Sequence, residues 1–337
     1  MDNRPKSDRR EQDNRKMIKN KLILSGLLMV VIHLLLVIFS SFYVYCAERD
    51  KKVHLDIANM YFSSGDYVSA LKEYTLLLDY QWSKEEFAGI FRNKGACHEN
   101  IKQYDYALDA FHQAVSLEPR NWINQLNLAS VFEKTGLTEK AIEKYEEVLR
   151  LNKENFEARY GLGRIYQKLG LNSRAIENYR QTLIIKPNAE IYRVISKCYE
   201  STRDWQMACA MLKQAISLAP NPEDYVHLSF LYSIQNQYDT AIQYLSTALS
   251  NEPKSIDVML HLAAANFKKG NYETTKNLLN VILDMDSKNA VAHFFLGLVL
   301  YFEDNVSGSR IEIEKARSLA KSEMLKEYSE YFIKKLN

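Results

Sequence analysis

Small residues recur along most of this 337-residue chain at an almost constant spacing, and this period limits the fold more than any other feature. Successive members of the series stand 33 to 37 residues apart. A second small residue precedes each member by twelve positions, and a large apolar residue follows it by four. A fixed period of this length indicates a stack of similar units rather than one globular core. The series consists of Ala70, Ala107, Ala141, Ala175, Ala208, Ala241, Thr275 and Ser309.

The units are predicted to be helical. The chain contains only 11 Gly and 6 Pro, too few for the many turns of a β-sandwich or barrel. Apolar residues at spacings of three and four form one stripe per helix, and the paired small residues let two helices approach closely. Proline occurs at one phase of the period, where a unit would begin, at Pro119, Pro187, Pro220 and Pro253.

Two segments show the repeated pattern most plainly, GLGRIYQKLGLNSRAIENYRQTLIIKP and NLASVFEKTGLTEKAIEKYEEVLRL. They resemble the tetratricopeptide repeat, a helix-turn-helix unit of about 34 residues. The resemblance implies an all-α fold, a right-handed α-solenoid of hairpins over residues 48–337, with a capping helix at 323–336. Eight repeats are expected, with first residues at 51, 88, 122, 156, 189, 222, 256 and 290.

The N-terminal part of the chain predicts a membrane anchor. Residues 22–47 are 26 consecutive residues without a formal charge, and about 20 suffice to cross the hydrocarbon core of a bilayer. Residues 1–21 carry eight Lys or Arg against four acids, which by the positive-inside rule predicts a cytoplasmic tail. We expect this tail to be disordered. We therefore expect a single-pass protein of the bacterial cytoplasmic membrane, with its repeats on the extracytoplasmic side.

A cleaved signal peptide is the alternative interpretation of the same segment. The apolar region of a signal peptide normally runs for about 7 to 15 residues and ends in a small-x-small cleavage site. Here the apolar region is longer, and Tyr45 and Cys46 precede Ala47. These features favour an uncleaved anchor.

The net charge does not predict nucleic-acid binding, and the motifs of the sequence do not predict catalysis. Forty-four basic and 42 acidic residues leave a net charge of +2, which disfavours non-specific nucleic-acid binding. The pair Gly161 and Gly163 lacks the third glycine and the preceding strand of a dinucleotide site, so helix packing is favoured. Cys97 and Cys198 share one repeat position and are expected to be buried thiols. We expect no enzyme activity, no cofactor and no metal.

The resemblance implies that a partner binds in the concave groove lined by the first helix of each repeat. The groove positions of repeats six to eight are apolar, and we predict a binding floor of Phe230, Ile234, Leu260, Phe267, Phe294, Leu298, Tyr301 and Phe302. Earlier repeats contribute a polar, mainly basic set of Arg92, Asn93, Asn127, Arg164, Lys168, Arg193 and Lys197. A covered core beneath the capping helix is the alternative for the apolar floor. His227 and His261 share one position of adjacent repeats and are expected on one wall.

The function expected from these features is a membrane-anchored interaction scaffold. Its groove would bind a peptide or helix of a protein partner, in cell-envelope assembly or secretion. A targeting or import receptor on an organelle surface, with the repeats facing the cytosol, is the alternative.

Overall fold

The computed structural model describes residues 29, 33–39 and 48–336. This part of the chain forms α-helices joined by short turns, with one 3₁₀ turn and no β-strand. The all-α fold class and its helical hairpins are therefore confirmed. The structure divides into two compact units at Lys153, and unit 1 precedes unit 2 in the chain.

Unit 1 is a series of helices in which each packs against the next. Helix α1 is described from residue 48 to residue 64, and a 3₁₀ turn over Leu77–Asp79 follows α2. The other helices are α2 (Tyr67–Leu76), α3 (Lys84–Asn100), α4 (Tyr104–Leu117), α5 (Trp122–Lys134) and α6 (Thr138–Leu151).

Unit 2 continues the same hairpin arrangement within residues 154–337. Helix α17, at the C-terminal end, packs against α16 and has the place that the sequence analysis gives to a capping helix. The helices are α7 (Phe156–Lys168), α8 (Asn172–Ile185), α9 (Ala189–Ser201), α10 (Trp205–Leu218), α11 (Pro222–Ile234), α12 (Tyr238–Asn251), α13 (Ile256–Lys269), α14 (Tyr272–Met285), α15 (Ala290–Phe302), α16 (Val306–Leu319) and α17 (Glu323–Lys335).

Polar caps fix where the first helix of each hairpin begins. Asn155 accepts a hydrogen bond from the backbone N–H of Ala158 at 2.8 Å, which satisfies one of the free N–H groups of α7. Asn121, Asn188, Asn221, Ser255 and Asn289 cap α5, α9, α11, α13 and α15 in the same way. The first residues of these six helices coincide with expected repeat starts. The count of eight repeats stays a prediction.

The turn inside each hairpin contains one residue in the left-handed backbone region. Four of these residues are glycines, which adopt positive φ without steric cost. The other four are Lys102, Arg203, Asn236 and Asp304, with φ between 58° and 62°. Because a left-handed residue costs a side-chain-bearing residue about 1 kcal/mol or more, packing of the two helices must impose this turn.

Small residues let the two helices of a hairpin touch. Gly163 of α7 lies against the ring of Tyr179 of α8, and a Cβ added there would come within 2.5 Å of the ring. Ala175, the paired small residue, is fully buried. The packing interpretation of the Gly161 and Gly163 pair is therefore confirmed, because both lie inside α7 and both are buried.

The membrane anchor predicted for residues 22–47 lies outside the described residues, apart from 29 and 33–39, and the predicted tail at 1–21 lies wholly outside them. Across the described ranges, no helix combines the length and apolar character needed to cross a membrane. On this finding, the predicted localisation as a single-pass membrane protein is wrong.

Candidate functional site

The predicted apolar floor lies on α11, α13 and α15 of unit 2. Its most exposed members are Phe230 and Phe302, at 52% and 55% of their full accessible area. Ile234 and Tyr301 are exposed at 39% and 40%. The remaining members are half-buried, namely Leu260, Phe267, Phe294 and Leu298. The floor is therefore neither a fully exposed patch nor a closed core.

Aromatic contacts explain this intermediate burial. The ring of Phe302 lies 5.6 Å from Phe267 and stacks on Tyr272 at 5.4 Å, between ring centroids. The neighbouring ring of Tyr301 meets Phe332 of α17 edge to face at 5.2 Å. Helix α17 therefore covers part of Tyr301, while Phe302 is more than half exposed to solvent.

A cleft lies between the first turns of α11 and α13, with a volume of about 460 Å³. Val226, Phe230 and Val258 supply its apolar walls. The histidines His227 of α11 and His261 of α13 both line it. We refer to this space as the α11–α13 cleft.

Three carboxylates also line the α11–α13 cleft, and the sequence analysis did not select them. Glu223 and Asp257 lie in the first turns of α11 and α13, and Glu252 caps the C-terminus of α12. Acidic residues in first turns are common because their negative charge interacts favourably with the positive end of the helix dipole. Their sequence positions therefore gave no signal of a shared cleft.

Arg193, predicted to line the groove, forms an ion pair inside unit 2. Its Nε and Nη2 atoms donate to both carboxylate oxygens of Asp224 at 2.8 to 3.0 Å, and Nη2 also donates to the carbonyl of Ala219 at 3.0 Å. Asp224 is 5% exposed. The hydrogen bond that Arg193 donates to Asp224 is the main reason that the pKa of Arg193 is raised. Arg193 thus joins α9 to α11.

The other predicted basic residues of unit 2 differ from Arg193 in their exposure. Lys168 and Lys197 are exposed near the C-terminal ends of α7 and α9. Arg164 is also exposed, and its guanidinium lies 5.5 Å from the ring centre of Tyr160. These three side chains face solvent, whereas Arg193 is held by a buried carboxylate.

In unit 1, the predicted groove residues are engaged in packing. Nη1 of Arg92 donates to the side-chain oxygen of Asn124 at 3.2 Å, which joins α3 to α5. The amide of Asn93 donates to the hydroxyl of Tyr74 at 3.2 Å. Asn127 is half-buried on α5. The polar set is thus divided between the two units. Two of its members, Arg92 and Arg193, join neighbouring helices.

Each unit contains a histidine–glutamate pair that joins the two helices of one hairpin. Nδ1 of His54 lies 2.7 Å from Glu73 in unit 1, and Nδ1 of His293 lies 2.6 Å from Glu312 in unit 2. Burial raises the pKa of Glu312, but hydrogen bonds from Lys315 and His293 outweigh it, so the pKa lies below its ordinary value. Neither pair is evident from the sequence, because their members are 19 residues apart on different helices.

The cysteines have the properties of packing residues. Cys97 and Cys198 are fully buried and free, and burial raises the pKa of their thiols to about 12 and about 11. A thiol that stays protonated at neutral pH is a poor nucleophile. No group of three or more His, Cys, Asp or Glu suited to a metal ion occurs among the residues that the structure describes.

Five tetratricopeptide-repeat family models match the chain, over residues 98–153, 137–170, 156–188, 194–224 and 234–316. The matches fall in both units and support the resemblance that the sequence segments indicate. A comparison with curated proteins finds no significant match.

Comparison with solved structures finds similar chains of low sequence identity. A structure of Naa15/Naa10 bound to HypK is 12% identical, with a TM-score of 0.53, covering 83% of this chain and 44% of that one. A tetratricopeptide repeat protein from Parabacteroides merdae is 16% identical, with a TM-score of 0.47, covering 73% and 98%. MamA from Desulfovibrio magneticus is 17% identical, with a TM-score of 0.46, covering 52% and 99%.

Proposed function

This chain belongs to the tetratricopeptide-repeat family, and on that premise we propose that it binds a segment of a protein partner on the face formed by α11, α13 and α15. Proteins of this family generally mediate protein–protein interactions. The observation that carries the proposal is the exposure of Phe230 and Phe302 on the first helices of their hairpins. Large rings half open to solvent on a shared face are typical of a binding surface.

Two features of the face favour a peptide-sized partner. The α11–α13 cleft has a volume of about 460 Å³, within the range of about 300 to 1,000 Å³ for sites that take small ligands. The half-buried members of the floor pack on their neighbours, so the surface is formed before a partner arrives. A preformed surface binds more tightly because less side-chain entropy is lost. The Naa15/Naa10 structure bound to HypK is a neighbour of the same fold that holds a protein partner.

The proposal includes neither a membrane anchor nor a reaction. The membrane setting expected from residues 22–47 is contradicted by the described helices. Scaffolds of this fold are typically non-enzymatic, and the buried thiols offer no activated nucleophile. Binding alone is therefore proposed.

Selection from a displayed library of random dodecapeptides tests the proposal. The full chain is immobilised, and the affinity of the most enriched peptide is measured by fluorescence anisotropy. Replacing Phe230 by Ser removes an exposed ring that has no role in the hairpin core, so we expect affinity to fall about tenfold. Ile311→Ser is the matched control, since Ile311 is 55% exposed on α16, away from the face.

The proposal fails if the library yields no binding peptide. It also fails if the Phe230→Ser variant binds the peptide as tightly as the Ile311→Ser variant does, because the peptide then binds elsewhere. Circular dichroism of both variants tests whether the helices remain intact.

A further inference from the structure

We propose that the α11–α13 cleft binds an arginine or lysine side chain of the partner segment, so that this protein selects basic peptides. The inference rests on the proposed function, since it assigns the chemistry of the same partner. It adds the requirement that the partner segment carry a positive charge, which binding to the apolar floor alone does not impose. Three observations support it: the carboxylates of the cleft, the surroundings of its histidines, and its apolar walls.

The first support is charge. The carboxylates of Glu223, Glu252 and Asp257 line the cleft, and no Lys or Arg is among its lining residues. Lys254 lies in the loop between α12 and α13 but does not line the cleft. Three like charges around one space attract a cation and repel an acidic segment.

The second support is the immediate surroundings of the cleft histidines. Nε2 of His227 lies 3.0 Å from the carboxylate of Glu200 on α9, so a fourth acidic group stands beside the cleft wall. His261 of α13 also lines the cleft and is exposed. The local surface of α11 and α13 therefore carries a surplus of acceptors over cationic donors. A guanidinium, with five N–H donors, matches such a surface.

The third support is the shape and apolar character of the walls. A basic side chain consists of an apolar stem and a charged end. Val226 and Val258 form walls against which the stem can lie. Phe230 is 52% exposed at the same cleft, so its ring face is available to a cation. An apolar side chain would fill the walls but leave the three carboxylates without a partner.

The dodecapeptide selection described above tests the inference through the composition of the selected peptides. We expect one position of the aligned binders to be enriched about tenfold in Arg and Lys over the unselected library. In the best binder, replacing that arginine by citrulline keeps the shape but removes the charge. This change should weaken binding about tenfold, as loss of a charged hydrogen-bond donor does.

The matching variant of the protein is Glu223→Gln with Asp257→Asn, which removes two charges and keeps both side-chain shapes. It should bind the arginine and citrulline peptides with nearly equal affinity. The control variant is Glu273→Gln with Asp284→Asn, which removes two exposed carboxylates from α14. It should retain the tenfold preference, because screening weakens the effect of distant surface charges.

Three results would overturn the inference. Selected peptides without an enriched basic position would show that apolar contacts suffice, and the proposed function would stand without the charge requirement. An equal loss of preference in the α14 control would assign the effect to overall charge. Dimerisation of the full chain that is abolished by Glu223→Gln with Asp257→Asn would show that a second copy occupies the cleft. Absence of any selected peptide would instead refute the proposed function itself.

Discussion

Removal of the Arg193 side chain is expected to destabilise unit 2, although the sequence alone places Arg193 in a binding groove. The change Arg193→Ala deletes three hydrogen bonds to Asp224, one to the Ala219 carbonyl and one of 3.3 Å to the exposed carboxylate of Glu190. It leaves the Asp224 carboxylate, 5% exposed, without its cation. The consequence is a buried charge with no partner between α9 and α11.

The expected cost follows from this burial. Breaking a buried ion pair costs about 3 to 5 kcal/mol, and loss of one partner of a buried polar group costs about 1 to 3 kcal/mol. The side chain of Arg193 is itself 20% exposed, so water can reach the position that it leaves. We therefore expect a loss of about 2 to 3 kcal/mol. For a unit of this size, each kcal/mol lowers the melting temperature by about 2 to 4 °C.

Thermal and urea unfolding followed by circular dichroism measure this loss, and hydrogen exchange at the first turn of α11 locates it. Lys197→Ala is the control, because Lys197 is exposed one turn further along α9. Asp224→Asn combined with Arg193→Ala should recover part of the loss, since no charge is then left buried. A change below about 0.5 kcal/mol for Arg193→Ala, equal to that for Lys197→Ala, would refute the reasoning.

Two further changes test the packing and the electrostatics. Gly163→Ala places a Cβ within 2.5 Å of the Tyr179 ring and should lower the free energy of unfolding by about 1 to 3 kcal/mol in urea titrations, whereas Gly89→Ala, with its nearest contact at 3.6 Å, should not. The pKa of Glu312 is lowered from 4.5, so its stabilisation is present above pH 4.5 and is lost as the pH falls through the folded pKa. Glu312→Gln should therefore lose less stability between pH 7 and pH 3 than the parent protein, and an unchanged acid loss would contradict this assignment.

Much of the fold was predictable because residues close together in the sequence specify each hairpin. A small residue such as Ala175 marks the helix contact, and a polar residue such as Asn155 marks a helix start. Both signals act within one hairpin, where spacing along the chain fixes spacing in the fold. The helical hairpins and the buried cysteines followed from such signals.

The candidate site was less predictable because it depends on contacts between hairpins. Arg193 and Asp224 are 31 residues apart, and neither the charge nor the position of one identifies the other as its partner. Glu223 and Asp257 carry the signature of helix first turns, which occurs in many helices that bind nothing. Repeat positions alone therefore marked a groove face without separating its binding residues from its structural ones.

By itself, the sequence determined that this protein is a series of tetratricopeptide hairpins, because a 33-to-37-residue period of small and apolar residues can bury its stripes only by stacking. Tertiary structure alone decided how the polar groove residues divide. It buried Asp224 beneath Arg193, left Phe230 open, and brought the first-turn carboxylates of α11 and α13 to one cleft. The physical reason is that the burial of a side chain and the charges around it depend on which helices pack together. A repeat pattern predicts the position of a residue on its helix but does not identify its partner on another helix.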